Sequence, residues 1–406
     1  MSSNHFGVKK EEEVYNFPFH RDPAVELSSL MGHLREHNPV ANVRLPSGQL
    51  VWLVTRYDDV RMVLSDRRFS MAAAAAHDAP EFSPMVKMYP GLFSLDPPLH
   101  TKVRRLFTGA LHTVPTATLL DMILRPVNEL VEGFNWKAKP VDLIADFCEP
   151  MVTRFAATLL GVAADTIEAF RRHFIAMIAL TGTSTQDATR EAQEISDLVS
   201  EIVRNKREKP ADDVFSHIVT AFDADGSLPD RNLVGLGASV LSSMSNSPIT
   251  QISYAIVALL RHPEQWQLLV RNPDFLDGAV EECFRWSAPL EVEHLRMATE
   301  DVVIGGRQIS RGSPVMTSVA SANRDTSRFP DAATFKITRK DNCHLGFGHG
   351  QHVCAGSQIG TLMLRSVLDS LVRHLPKLRL AVEDTELFLK DKYSHALAVG
   401  TVPVTW

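Results

Sequence analysis

The alternation of apolar and polar positions changes character twice along the chain. NVRLPSGQLVWLVTRYDDVRMVLS, starting at Asn42, carries an apolar run from Val51 to Val54 after the turn residues Pro46, Ser47 and Gly48. It predicts two short strands followed by a helix. From about residue 100 to 290 the pattern is mostly helical. Asp96-Pro97-Pro98 predicts its start, with Asp as the cap and Pro in the first turn. After residue 287 strand patterns return, and EDVVIGGRQISRGSPVMTSVAS predicts a hairpin around Gly305-Gly306. A last helix is predicted from about Ala355, with Ile359, Leu362, Met363, Val367 and Leu371 on one face. The closing YSHALAVGTVPVTW is strand-like again.

No internal repeat, low-complexity tract or long Pro/Gly/Ser linker divides these segments. The expectation is a mainly α protein with small β-sheets (α+β), folded as a single domain over 1–406. Its β-rich part would span roughly 40–70 and 290–345, and its helical body roughly 96–287 and 355–375.

The 406 residues are 45% hydrophobic and 22% charged, enough apolar content for a large core. A net charge of −6 and the lack of any nucleic-acid-binding motif exclude a nucleic-acid binder. Cys148, Cys283, Cys343 and Cys354 are too few for a disulfide framework. The polar start MSSNHFGVKKEEEVYNFPFH is neither a signal peptide nor a membrane anchor. Polar residues also interrupt the most apolar stretch, Leu233 to Leu260, so it reads as a buried helix, not a membrane span. A cytoplasmic monomer, without membrane, is expected.

Candidate chemistry concentrates in Phe347-Gly348-His349-Gly350-Gln351-His352-Val353-Cys354-Ala355-Gly356. Two glycines before the cysteine permit a tight loop, and Gly356 permits close approach to something flat. A helix starting at Ala355 would aim its positive end at Cys354 and favour the thiolate. Phe347 would shield the sulfur from water. A lone cysteine is more often a small buried hydrophobe, and Cys343, His344, His352 and Cys354 lack the paired spacing of a structural zinc site. The segment resembles the haem-binding loop of cytochromes P450, FGxGxHxCxG, and fits it at every fixed position.

Other segments carry the same resemblance. Glu282-Cys283-Phe284-Arg285 matches the family's ExxR, whose carboxylate and guanidinium share a helix face and lock each other structurally. Asn323-Arg324-Asp325 and Arg328-Phe329-Pro330 look like its meander. His100 and Arg104 match HxxxR, and Arg296 and His352 match the remaining contacts to the haem propionates, which call for charge-assisted bonds. The resemblance thus implies haem b on Cys354, with Phe347 and Gly356 beside it. It also implies O2 as oxidant and electrons from NAD(P)H through an external reductase, here a ferredoxin and ferredoxin reductase. Lys102, Arg105, Arg339, Lys340 and Arg365 would form a basic patch for the acidic ferredoxin. The likeness is to actinobacterial members of secondary metabolism.

One segment departs from the family. Its oxygen-activating (A/G)-G-x-(D/E)-T falls on Ser243-Met244-Ser245-Asn246-Ser247, and Pro248 follows. Asn246 stands where the acid belongs and does not titrate near neutral pH. Ser247 keeps a hydroxyl that can orient a water, as Ser243 can. Pro248 lacks an N–H and opposes the Met244 carbonyl; it should widen the helix there and push Ser247 from helical geometry. This suits oxidative coupling, such as intramolecular C–N bond formation on an indole or dipeptide-like substrate. Alternatives are an ordinary hydroxylase or epoxidase with protons relayed by water, a haem-thiolate reductase or isomerase, and a non-catalytic ligand binder. The resemblance places the substrate pocket at Phe82, Met85 and Met88, at Ser239, Ser242 and Ser243, at Leu290, Val292 and His294, and at His395, Ala396 and Leu397. The serines clustered about Asn246 imply polar groups on an otherwise apolar small molecule.

Overall fold

The computed structural model describes residues 13–21, 26–76, 89–178, 185–287, 290–383, 386–387 and 400–406. Phe82, Met85, Met88, His395, Ala396 and Leu397 lie outside them.

The early strand signals form a sheet with a late partner. β1 (Val14–Asn16), β2 (Val40–Arg44) and β3 (Leu50–Val54) continue into β9 (Pro314–Thr317), then β6 (Arg296–Ala298) and β4 (Phe69–Ser70). β2 and β3 are antiparallel, with Val43 opposite Val51, whereas β3 and β9 run parallel, Leu53 opposite Met316. This parallel pairing returns the chain from residue 317 to the N-terminal sheet, so Arg296 is held at a fixed place beside the helices. β7 (Val302–Ile304) and β8 (Arg307–Ile309) form the expected hairpin, whose turn needs Gly305 at φ 54° and Gly306 at φ 81°. A small third sheet joins β10 (Arg379–Leu380), β11 (Pro403–Thr405) and β5 (Val141–Asp142).

The middle of the chain is helical. The helices over Asp230–Ser245 and Ser247–Arg261 are buried on almost every face, as their apolar content requires. Between them Asn246 sits at φ −116°, ψ −56°. Pro248 falls in the first turn of the second segment, where a missing N–H costs little. The break therefore takes a different form from the one expected. Ser247 begins the second segment and Asn246 carries the distortion. Asn246 N–H still donates to the Ser242 carbonyl at 3.2 Å, and its own carbonyl accepts from Thr250 N–H at 3.3 Å. Among the described residues no single helix is long and apolar enough to cross a membrane.

Asp96 also behaves differently from a helix cap. The helix begins at Leu99 with Pro98 at its edge, and the Asp96 carboxylate instead takes the Ser70 hydroxyl and the Met71 N–H. It thereby ties β4 to the entry of the Leu99–His112 helix.

Glu282 and Arg285, on the Leu276–Trp286 helix, have no exposed surface. Arg285 makes a two-pronged contact with Glu282 at 2.7 and 2.8 Å and donates to the carbonyls of Asn323, Ala332 and Thr334. Glu282 also accepts from Lys336 N–H, Arg339 Nε and Asn342 Nδ2. Asn323 Oδ1 then takes the N–H of Leu345, two residues before Phe347. The network fixes the irregular chain that feeds the cysteine loop. Replacing Arg285 by Ala takes from Glu282 its two-pronged partner, leaving Arg339 as its only guanidinium, and strips three carbonyls of that donor, which costs roughly 3–5 kcal/mol. Guanidinium unfolding of R285A should show a loss of that size, and a loss under about 1 kcal/mol would contradict a structural role.

Candidate active site

The cysteine loop is shaped by its glycines. Gly348 at φ 74° and Gly350 at φ 73° turn it, and a Cβ on Gly350 would lie 2.6 Å from the Leu64 carbonyl oxygen. Only glycine fits there. The turns bring Cys354 N–H to the Phe347 carbonyl at 2.8 Å. The Phe347 ring packs on Phe284, centroids 4.4 Å apart, and a Cβ on Gly360 would touch it at 3.5 Å. Gly360 went unnoticed because its role appears only once the helix packs under the loop. The helix itself starts at Ser357, with Gly356 as its cap, two residues later than the periodicity indicated.

Burial pushes the Cys354 thiol up, while the Gly356 N–H and the Arg104 charge pull it down and Glu293 adds to the rise. A thiolate there needs a cation at the sulfur itself.

The sulfur faces a cavity of about 340 Å³. Ser239, Ser242, Ser243, Met244, Asn246, Ser247 and Pro248 line its opposite wall. The serines are less available than their number implied. Ser239 donates to Gly235 O at 2.7 Å, Ser242 to Ser239 O at 3.0 Å and Ser245 to Leu241 O at 2.6 Å, so their protons are spent on their own helix. Ser239 and Ser242 can still accept. The missing partner of the Met244 carbonyl at Pro248 falls on the same wall.

Leu290 and His294 line the cavity, whereas Val292 packs with Phe17, Phe19 and Leu295 under the N-terminal sheet. The extended chain turns Val292 away from the cavity. His294 stacks on Phe93 at 5.0 Å, and burial, with Arg296 nearby, pushes its imidazole down to about 4. Phe170, Phe174, Met177 and Ile178 add apolar surface that the sequence did not single out, as do Thr250, Gln251 and Glu293 among polar groups. On a helix or strand of unknown facing, such residues look like any others.

At one edge of the cavity stand His100, Arg104, Arg296 and His352. The His100 and His352 rings lie 4.1 Å apart, and His352, pushed down to about 3 by burial and these cations, keeps a buried Nε2 without a partner. A Cβ on Gly356 would sit 4.0 Å from Cys354 Sγ and 3.9 Å from Met244 Cε, filling the slot between the sulfur and the broken helix. A flat dianion whose metal accepts a thiolate fits this slot. Among the described residues no three His, Cys, Asp or Glu side chains form a metal cage, and His344 is taken by Glu281 at 3.1 Å.

The residues expected to meet a redox partner are not one free patch. Arg339 is bound inside the fold to Glu282, Lys102 pairs with Asp225 and Arg365 with Asp277. Lys340 and Arg105 are exposed.

Residues 265–392 match the family model for cytochrome P450. The mycinamicin IV hydroxylase/epoxidase of Micromonospora griseorubida is 34% identical, over 96% of this chain and 98% of that one. The chain belongs to the cytochromes P450. The nocardicin C N-oxygenase of Nocardia uniformis subsp. tsuyamanensis is 33% identical over 97% of this P450 and 99% of its own length. The crystal structure of SgvP, assigned as a thioether synthase in the tailoring step of griseoviridin, superposes with a TM-score of 0.90 at 30% identity, covering 97% of this chain and all of that one. Membership implies haem, dioxygen and electrons from outside.

Because the His294 imidazole is depressed from 6.5 to about 4 in the folded P450, the unfolded chain binds its proton first as pH falls. Stability should therefore drop from pH 6.5 toward 4, by up to about 1.4 kcal/mol per pH unit from this group, and level off below. Guanidinium melts of H294Q should be flatter across that window; an unchanged slope would show that His294 is not the group responsible.

Proposed function

We propose that this P450 carries haem on Cys354 and oxidises a small natural product by joining two of its atoms. The haem-holding set is Cys354 on the iron, with Arg104, Arg296, His100 and His352 at the propionates, Phe347 shielding the sulfur and Gly356 leaving room for the ring. His352 Nε2 supports this reading, since a buried nitrogen without a partner suits a carboxylate oxygen. Bound there, haem supplies a one-electron oxidant fed by dioxygen and external electrons.

The carrying observation is the cavity wall at Asn246, Ser247 and Pro248. Asn246 can hold a water through its amide but cannot hand over a proton as an acid. Ser247 and Ser243 can orient that water, and the Met244 carbonyl is an acceptor for a substrate N–H. Residues that hold water yet supply protons poorly favour a reaction in which the substrate gives up its own. In a C–N closure one C–H and one N–H are broken, one C–N bond forms, and dioxygen leaves as two waters, taking two hydrogens from the substrate and two electrons and two protons from outside. An indole or dipeptide-like substrate provides both bonds, and Phe93, Phe170 and Phe174 offer it aromatic surface. The likeness to SgvP, assigned as a synthase, agrees with coupling.

Hydroxylation or epoxidation is the second reading, favoured by the mycinamicin and nocardicin relatives, both oxygen-inserting enzymes. It would use a water held by Asn246 and Ser247. Reductase or isomerase chemistry has no observation in its favour. Electrons would come from NAD(P)H through ferredoxin reductase and ferredoxin, with Lys340 and Arg105 the exposed cations available to the acceptor face. A cytoplasmic monomer of one domain is part of the same proposal.

Ligands that move the haem spectrum from low to high spin identify candidate substrates, whose products are then formed under ¹⁸O-labelled dioxygen. Coupling predicts a product lighter by two hydrogens and free of label; one labelled oxygen in the product would establish insertion. In N246D/S247T, restored proton supply should divert turnover toward an oxygenated product. A large gain in rate with the product unchanged would mean that Asn246 and Ser247 are merely tolerated.

A further inference from the structure

The cavity holds one charge that neither the haem-holding set nor the broken helix uses. Glu293 follows the buried Val292, and its N–H is fixed to the Thr317 carbonyl of β9 at 2.8 Å, so the root of its side chain is anchored to the sheet. The side chain lines the cavity, and its carboxylate accepts no hydrogen bond and forms no ion pair among the described residues. A carboxylate on a mainly apolar wall without a partner is costly unless something supplies one.

The charges along the wall say what is missing. Among the described cavity-lining residues, the acidic and guanidinium side chains are Arg104, Arg296 and Glu293, and burial pushes the Glu293 carboxyl up while the Arg296 charge pulls it down. Burial holds His100, His294 and His349 below their ordinary range, so none of these three imidazoles is a cation at neutral pH. Arg296 is the nearest positive charge to Glu293, but it makes no ion pair with it. On the reading that haem occupies the slot, its two propionates take up Arg104 and Arg296. Glu293 is then the carboxylate left without a counterpart in the cavity lining.

We infer that Glu293 is a specificity residue that selects substrates carrying a positive charge, a protonated or quaternary amine, beside an apolar body. The cation would meet Glu293 while its apolar part packs on Phe93, Leu290 and Val319. In a site closed to water such a pairing counts for more than at a surface.

The test uses two probes of one shape: a phenylalkyl trimethylammonium ion and its uncharged tert-butyl isostere. The quaternary nitrogen has no lone pair and cannot bind iron, so a difference between the probes reports charge alone. Haem loading is first verified by the carbon monoxide spectrum of the reduced protein, so failure of the haem reading is seen separately. Equilibrium dialysis of the loaded protein should then show the cation bound about tenfold or more tighter than the isostere. E293Q should bring the two affinities within about twofold of each other, chiefly by weakening the cation. A cation bound no tighter than its isostere in the native protein overturns the inference, as when Glu293 is protonated and serves a propionate instead. Preference surviving in E293Q overturns it too. Should E293Q fail to take up haem, the native ratio of the two affinities decides alone.

Discussion

The Cys354 sulfur has to be presented to an open cavity, and most of this fold can be understood as the means of holding that sulfur in place. Cys354 stands at the end of a loop that two left-handed glycines turn and one helix terminates. The Gly356 N–H and the Arg104 charge favour the thiolate there, against desolvation and Glu293. The fold spends its order on geometry. Glu282 and Arg285 staple the irregular chain before the loop, Asn323 fixes Leu345, and Phe347 packs on Phe284 at the cavity's edge beside the loop. A metal at the sulfur is what would make this arrangement chemically consistent.

The opposite wall follows a different logic. A buried helix is broken between Ser245 and Ser247, and the break costs little because Pro248 lies in the first turn of a new segment. The same residue leaves one carbonyl without its helical donor at the point nearest the chemistry. Ser239, Ser242 and Ser245 around it turn their protons onto their own helix. Beside donors such as the Asn246 amide and the unpartnered Gln251 Nε2, Glu293 and the Met244 carbonyl are acceptors in the same lining. Substrate N–H groups and cations are the natural complement, which links the proposed coupling chemistry to the proposed selectivity through one property of the cavity.

What could be read from the sequence was local. The cysteine loop, Glu282 with Arg285, the pair His100 and Arg104, and the Gly305-Gly306 hairpin all carry their meaning within a few residues. Backbone conformation or a helical turn sets such signals, and the fold preserves them. Facing and pairing across the chain were not legible. Val292 and Glu293 are adjacent in an extended segment, and only the sheet beneath them decides which one meets the cavity. Arg339 looks like a surface cation until Glu282, 57 positions earlier, is seen to claim it. Asp96 has the sequence of a cap and instead serves β4, because the chain bends back over it. In each case the deciding partner is distant in sequence and near in space.

The central claim concerns one bond, and carbon monoxide reports it directly. The haem-loaded protein, reduced and exposed to the gas, should absorb at the wavelength from which the family takes its name if Cys354 holds the iron as a thiolate. Cys354→Ala should abolish that band while the fold persists. Absence of the band in the native protein, or its survival in the variant, would contradict the account.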